Sequence, residues 1–185
     1  MEYRFYTIFS SPFDTFTIVW KETGSNLLIQ RIFLSDPQLK SEVKAQESFN
    51  QVKPQSSSLI ASLGEKVQRF LRGKDVEFDL ALLDFTKCSE VQKRVLIADY
   101  GIPRGWISTY KRIANHIGIP KGARVVGNAL AHNPFPIIIP CHRAIKSNGE
   151  LGGYQGGINM KRALLELEGI EFTDKGKVIT DRIHY

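Results

Sequence analysis

The chain has 185 residues, 42% of them hydrophobic and 24% charged, the make-up of a soluble globular protein with one large domain or two small ones. Its two cysteines exclude a disulfide framework, and no apolar run approaches the roughly 18 residues of a membrane helix. The net charge of +6 is uneven: between Thr86 and Ile170 twelve Lys/Arg stand against five Asp/Glu, giving +7, which leaves −1 for the rest.

That imbalance is the footprint expected of a domain that meets a polyanion such as DNA, although a merely solvated basic surface gives the same count. The opening "MEYRFYTIFSSPFDTF" lacks the organisation of a signal peptide. Neither a CxxC nor an HExxH pair offers a metal site, so none is expected. A reducing, intracellular compartment fits: cytoplasm (with the nucleoid) or nucleus.

Along the first part, "FTIVW" and "LLIQRIFL" read as strands joined by "KETGSN", with hairpin chemistry around Gly24. "SDPQLKSEVKAQES" opens like a helix, with Ser35 or Asp36 as cap and Pro37 in the first turn. "NQVKPQSSS" reads as a loop, "SLIASLGEKVQRFLRG" as a helix stopped by Gly73, and "DVEFDLALLDF" as an extended return. This part is α/β and carries no concentration of chemistry.

The second part is mostly helical. "SEVQKRVLIADYGIP" predicts a helix capped by Ser89, with Val91, Val95 and Ala98 on one face. "STYKRIANHIGIP" predicts another from Ser108 or Thr109, and "KGARVVGNALAHNP" a third after a short connection, a helix-turn-helix pattern. Ala123, Gly127, Ala129 and Ala131 make the third helix slender, and glycine inside a helix costs about 1 kcal/mol against alanine. Such a helix approaches either another helix or a narrow DNA groove.

Chemistry gathers after it. In "HNPFPIIIPCHRAIKSNGELGGYQGG", prolines rigidify the approach to Cys141, and Gly152, Gly153, Gly156 and Gly157 around Tyr154 allow a sharply bent loop. In "NMKRALLELEG", Met160, Ala163, Leu164 and Leu167 form an inward stripe that Glu168 continues. A carboxylate there, at the unfavourable end of the helix dipole, requires a partner: a basic side chain, or a histidine that it orients. Adjacent residues of an extended segment point apart, so a water or a bend must connect Cys141 to His142 if His142 is to take the thiol proton.

"GWISTYKRIA", "ARVVGNALAHNPFPIIIPCHR", "GELGGYQGG" and "KRALLELEG" together resemble the O6-alkylguanine-DNA alkyltransferases, or methylated-DNA–protein-cysteine methyltransferases. The resemblance runs from about Cys88 to Ile170. It implies a ribonuclease H-like α/β domain over 1–84, with a small antiparallel sheet and helices. A mostly α, winged-helix-like domain with the helix-turn-helix follows over 85–170, and 171–185 is a tail without assigned function. It implies that Cys141 irreversibly accepts an alkyl group from guanine O6 in double-stranded DNA, approached through the minor groove by a monomer after base flipping. His142 and Glu168 then match the pair that generates thiolate, Asn133 a brace of the turn, and Tyr110 a donor to the leaving guanine. Arg124 matches the side chain that enters the vacated stack. DNA contact is implied for Arg124, Tyr110, Gly127, Ala123 and Arg143, and an alkylguanine pocket for Tyr154, Gly152, Gly153, Gln155 and Gly156. No cofactor and no membrane partner are implied.

The sequence also departs from the family. No cysteine or histidine precedes Cys88, so the zinc site of some relatives has no ligands, and the fused regulatory module of others is missing. Val91 and Ala144 replace a common phenylalanine and valine. The competing function is a non-catalytic protein that binds alkylguanine lesions. Such proteins lack the acceptor cysteine, which Cys141 supplies here. A plain helix-turn-helix regulator would need neither Glu168 on an apolar face nor the glycine–tyrosine loop.

Overall fold

The computed structural model describes residues 3–24 and 26–185; Met1, Glu2 and Ser25 of the stretches quoted above lie outside the described residues. The chain divides into two compact units, the first running to Lys87 and including Pro134–Ile138, the second comprising Cys88–Asn133 and Ile139–Tyr185.

In the first unit β1 (Tyr3–Ser11), β2 (Asp14–Thr23) and β3 (Asn26–Leu34) form an antiparallel meander. Asp14 takes the turn between β1 and β2 at φ +74°, a conformation that aspartate tolerates better than most residues. Gly24 takes the next turn at φ +62°, where hairpin chemistry was expected. The sheet is mixed rather than wholly antiparallel, because β4 (Lys53–Pro54) adds in parallel to β1 and gives the order β3-β2-β1-β4. A two-residue edge strand can hold Pro54 where a central strand cannot, which is why "NQVKPQSSS" reads as a loop.

Alternation along β2 buries both faces of this sheet. Val19 and Phe33 pack against Ala45 of α1 (Ser41–Ser48). On the other face Phe9 stacks on Phe16, and α2 (Ser58–Leu71) comes so close at Gly64 that an added methyl would overlap the Phe9 ring. Helix α1 begins later than its sequence suggests. Asp36 accepts from the backbone of Gln38 and Leu39 and pairs with Lys44 at 2.5 Å, so it closes a turn instead of capping a helix at Pro37. Helix α2 ends as expected, with Gly73 at φ +81°. The extended return after it holds a short 3-10 turn at Leu80–Leu82 and one parallel bridge from Leu83 to Ile29.

The second unit packs α3 (Glu90–Tyr100), α4 (Tyr110–His116) and α5 (Ala123–Ala131) against one another. The Ser89 and Thr109 hydroxyls accept from the backbone N–H of Gln92 and Arg112 at 3.2 Å each, so both expected caps form. Gly118 at φ +75° ends α4 and starts the turn into α5. On α3 the buried face is Val95, Leu96, Ala98 and Asp99; Val91 is exposed, because it lies a full turn before the packed stretch. β5 (Ser108–Thr109) pairs in parallel with β6 (Ala144–Ile145), ahead of α6 (Ile158–Leu167). Residues 171–185 are integrated into this unit. β7 (Glu171–Phe172) and β8 (Val178–Ile179) form a hairpin, Ile183 bridges Ile107, and Tyr185 stacks on His116 with its hydroxyl donating to Ala98 O at 2.8 Å.

Candidate active site

Cys141, His142 and Arg143 form one 3-10 turn, and all three are buried. The bend that the sequence left as one of two possibilities is therefore present, and the turn takes these side chains out of strict alternation. His142 Nε2 donates to Glu168 Oε1 at 2.9 Å. Arg143 donates to the same carboxylate through Nε (2.9 Å to Oε2) and Nη2 (2.8 Å to Oε1), and the Gly105 N–H donates to Oε2 at 3.1 Å. Glu168 thus has both partners that its position called for, the basic side chain and the histidine. Burial by itself would raise its pKa, but the His142 and Arg143 hydrogen bonds and charges hold the carboxyl well below the usual carboxylate range.

With Glu168 ionised, His142 Nε2 carries the hydrogen and Nδ1 the lone pair that can accept a proton. Burial lowers the imidazole's pKa more than Glu168 raises it, so the ring is neutral at rest. Burial also pushes the Cys141 thiol up to about 12, helped by the charge of Asp99, while the Asn133 side chain and Lys161 favour its ionisation. At about 12 the resting sulfur keeps its proton until a base takes it. Asn133 is itself buried and holds the approach to the turn, its Nδ2 donating to Ile139 O at 3.0 Å.

Tyr110 is the first residue of α4, and burial raises its phenol to about 12. It stays a hydrogen-bond donor at neutral pH. Gly152 lies against it at φ +75°, and a Cβ there would sit 2.5 Å from the Tyr110 hydroxyl oxygen. Gly152→Ala is expected to displace Tyr110 and cut the rate of methyl uptake at Cys141 by roughly ten-fold or more, and to lower the thermal midpoint, because alanine is strained at this positive φ. A single-turnover time course beside a melting curve checks it, and an unchanged rate refutes the contact. In the same loop the Tyr154 ring meets His142 edge to face, centroids 6.4 Å apart. Its hydroxyl oxygen is buried, Gly156 is buried, and Gln155 is half-buried.

On α5, Arg124, Val125, Asn128 and Ala131 are exposed. A Cβ at Gly127 would meet nothing within 4 Å, so this glycine's slenderness serves no contact inside the protein. Arg143 departs from the implied DNA contact. It is buried, with Nε and Nη2 donating to Glu168 and Nη1 donating to Ile102 O at 2.7 Å. Among the other basic residues, Lys111 and Lys121 are exposed, Lys146 pairs with Glu150, and Arg112 donates to Tyr185 O. Cys88 is half-buried.

Residues 90–170 match the family described as 6-O-methylguanine DNA methyltransferase, DNA binding domain. A methylated-DNA–protein-cysteine methyltransferase of Methanothermobacter thermautotrophicus is 48% identical over 60% of this chain and 62% of its own length. The enzyme of that name from Methanosarcina acetivorans is 33% identical over 89% of this chain and 98% of its own. The chain belongs to the methylated-DNA–protein-cysteine methyltransferase family. A crystal structure of Mycobacterium tuberculosis OGT in complex with DNA is similar in fold as well, with a TM-score of 0.71 and 36% identity over 89% of this chain and 92% of that one.

Three residues around this methyltransferase-family site escaped the sequence reading. Lys161 is fully buried on α6, and its Nζ donates to Ala144 O at 2.7 Å. Burial lowers its ammonium to about 8 against the pull of Cys141 and Asp99. The inward stripe of α6 is Met160, Lys161, Leu164 and Leu165 with Glu168 beyond, and Leu167 is exposed. An apolar count favours Leu167, whereas a lysine stem that buries its methylenes and finds a carbonyl turns the helix the other way. Asp99 is fully buried, and burial raises its carboxyl to about 7. Gly105, at φ +74°, escaped because only the folded turn brings its N–H to Glu168.

Proposed function

We propose that this protein repairs DNA by transferring an alkyl group, methyl above all, from guanine O6 to Cys141, once per molecule. The observation that carries this reading is the buried His142–Glu168 pair at 2.9 Å, in which the 3-10 turn that presents Cys141 supplies His142 and the end of α6 supplies Glu168. The thiol proton passes to the imidazole, whose new charge Glu168 stabilises. The sulfur electron pair forms the S–C bond as the C–O6 bond breaks. Guanine keeps that bond pair and takes up one proton, matched by the one the imidazolium gives up as it returns to neutral, so charge and atoms balance, and Tyr110 hydrogen-bonds the departing base. No residue present reverses a thioether. Because the resting thiol holds its proton, ionisation belongs to the transfer step and not to the free protein.

Duplex DNA hides O6, so the base must leave the stack, at a cost of a few kcal/mol. Exposed Arg124 near the start of α5 fills the gap, and the open space at Gly127 suits close approach to a minor groove. The remaining elements of the reading are a ribonuclease H-like first unit, supported by the order β3-β2-β1-β4, a winged-helix-like second unit, and action as an intracellular monomer. Incubation with a duplex containing O6-methylguanine is expected to add one methyl to the Cys141 peptide, read by peptide mass spectrometry. A methyl on Cys88, or none, overturns the assignment.

A further inference from the structure

Helix α3 packs against the 3-10 turn that carries Cys141, and it brings there a carboxyl that the transfer step does not use. Asp99, on α3, is fully buried, and both of its carboxylate oxygens are buried without a hydrogen-bond partner among the described residues. Buried carboxylates are almost always hydrogen-bonded, because an unpartnered one is costly. The cations that face it have other contacts: Arg143 from the 3-10 turn on Glu168 and Ile102 O, and Lys161 from α6 on Ala144 O. The other groups within its field are Cys141 on that turn, Tyr110 on α4, Tyr154 in the glycine loop, and Tyr185 at the end of the last segment. The arrangement is a fully buried ammonium and a fully buried carboxylate acting with opposite sign on one sulfur.

We propose that Asp99 is a positioning residue, which balances the Lys161 ammonium beside the Cys141 sulfur and so sets the pH range in which that sulfur reacts. An ammonium alone would favour the thiolate; the carboxylate opposes it. Asp99 itself gains its charge near neutral pH, at about 7. Raising the pH therefore draws the proton from the thiol while switching on a charge that resists its loss. The two effects oppose each other and flatten the response. The proposal rests on Cys141 as the acceptor.

The experiment uses the full chain with Cys88→Ser, which leaves Cys141 as its single thiol. Its probe is iodoacetamide, with the rate of Cys141 alkylation followed from acid to alkaline pH. Asp99→Asn and Asp99→Leu are both expected to react several-fold faster above neutrality, with profiles steeper and displaced to lower pH by on the order of one unit. Lys161→Met is expected to displace the profile the opposite way. Agreement between the asparagine and leucine variants marks charge as the cause, since they differ in shape and polarity. Profiles that superimpose on the parent, or asparagine and leucine shifts of opposite sign, overturn the proposal and reduce Asp99 to packing. Methyl uptake from the O6-methylguanine duplex is measured in parallel. Failure of the parent there sinks the acceptor reading, while the iodoacetamide profiles still decide the role of Asp99.

Discussion

Glu168→Gln is expected to cost about 3–5 kcal/mol of stability, the range for breaking one side of a buried ion pair. Glu168 accepts from His142, from two nitrogens of Arg143 and from the Gly105 N–H, all buried. Glutamine keeps the shape but removes the charge, so the Arg143 guanidinium is left beside a neutral amide whose NH2 end repels it. The same substitution releases the imidazole from its orienting partner, and the methyl-transfer rate is expected to fall about 10²–10⁴-fold, the usual share of a positioned general base. Thermal denaturation and single-turnover kinetics, run below the variant's midpoint, check both effects. A variant with the parent's midpoint and rate would refute the network.

The pH dependence has a definite sign. A carboxyl whose pKa is depressed by folding adds stability that is fully present above its unfolded value, here 4.5, and lost as the pH falls through the lower folded value. The parent should therefore lose stability as the pH drops below about 4.5. Glu168→Gln should show a flatter curve there, because its amide does not titrate.

Cys141→Ala is expected to abolish methyl uptake completely while lesion binding persists. The sulfur is the proposed acceptor, and a buried thiol otherwise behaves as a small apolar group, so the fold should shift by no more than about 1 kcal/mol. Intact-protein mass after incubation with the alkylated duplex and anisotropy of a labelled lesion oligonucleotide separate the two readouts. Residual methylation of the alanine variant would place the acceptor elsewhere. Loss of binding together with transfer would make the sulfur part of lesion recognition.

Local chemistry was legible in the sequence wherever one residue decides it. Ser89 and Thr109 cap their helices because a hydroxyl needs only the backbone three residues on. Gly73 stops α2 because few other residues accept a positive φ. Glu168 was legible as a residue in need of a buried partner because it sits on an apolar stripe, but that His142 and Arg143 both serve was not. By contrast β1 and β4 were missed: strand pairing depends on a neighbour distant in the chain, and β4 is only two residues long.

The amino-acid sequence by itself determined where the helices of the second unit start and stop, the slender build of α5, and Cys141, His142 and Glu168 as the candidates for the chemistry. Only the tertiary structure decided what each charge faces. Arg143 reads as a surface cation but is consumed by Glu168, Lys161 reads as solvated but is sealed against Ala144 O, and Asp99 reads as an ordinary helix residue but lies in the field of the thiol. The physical reason is that propensity and periodicity act between near neighbours, whereas the protonation of a buried group depends on the total field and desolvation from every element packed around it. Those exist only once the chain has closed on itself.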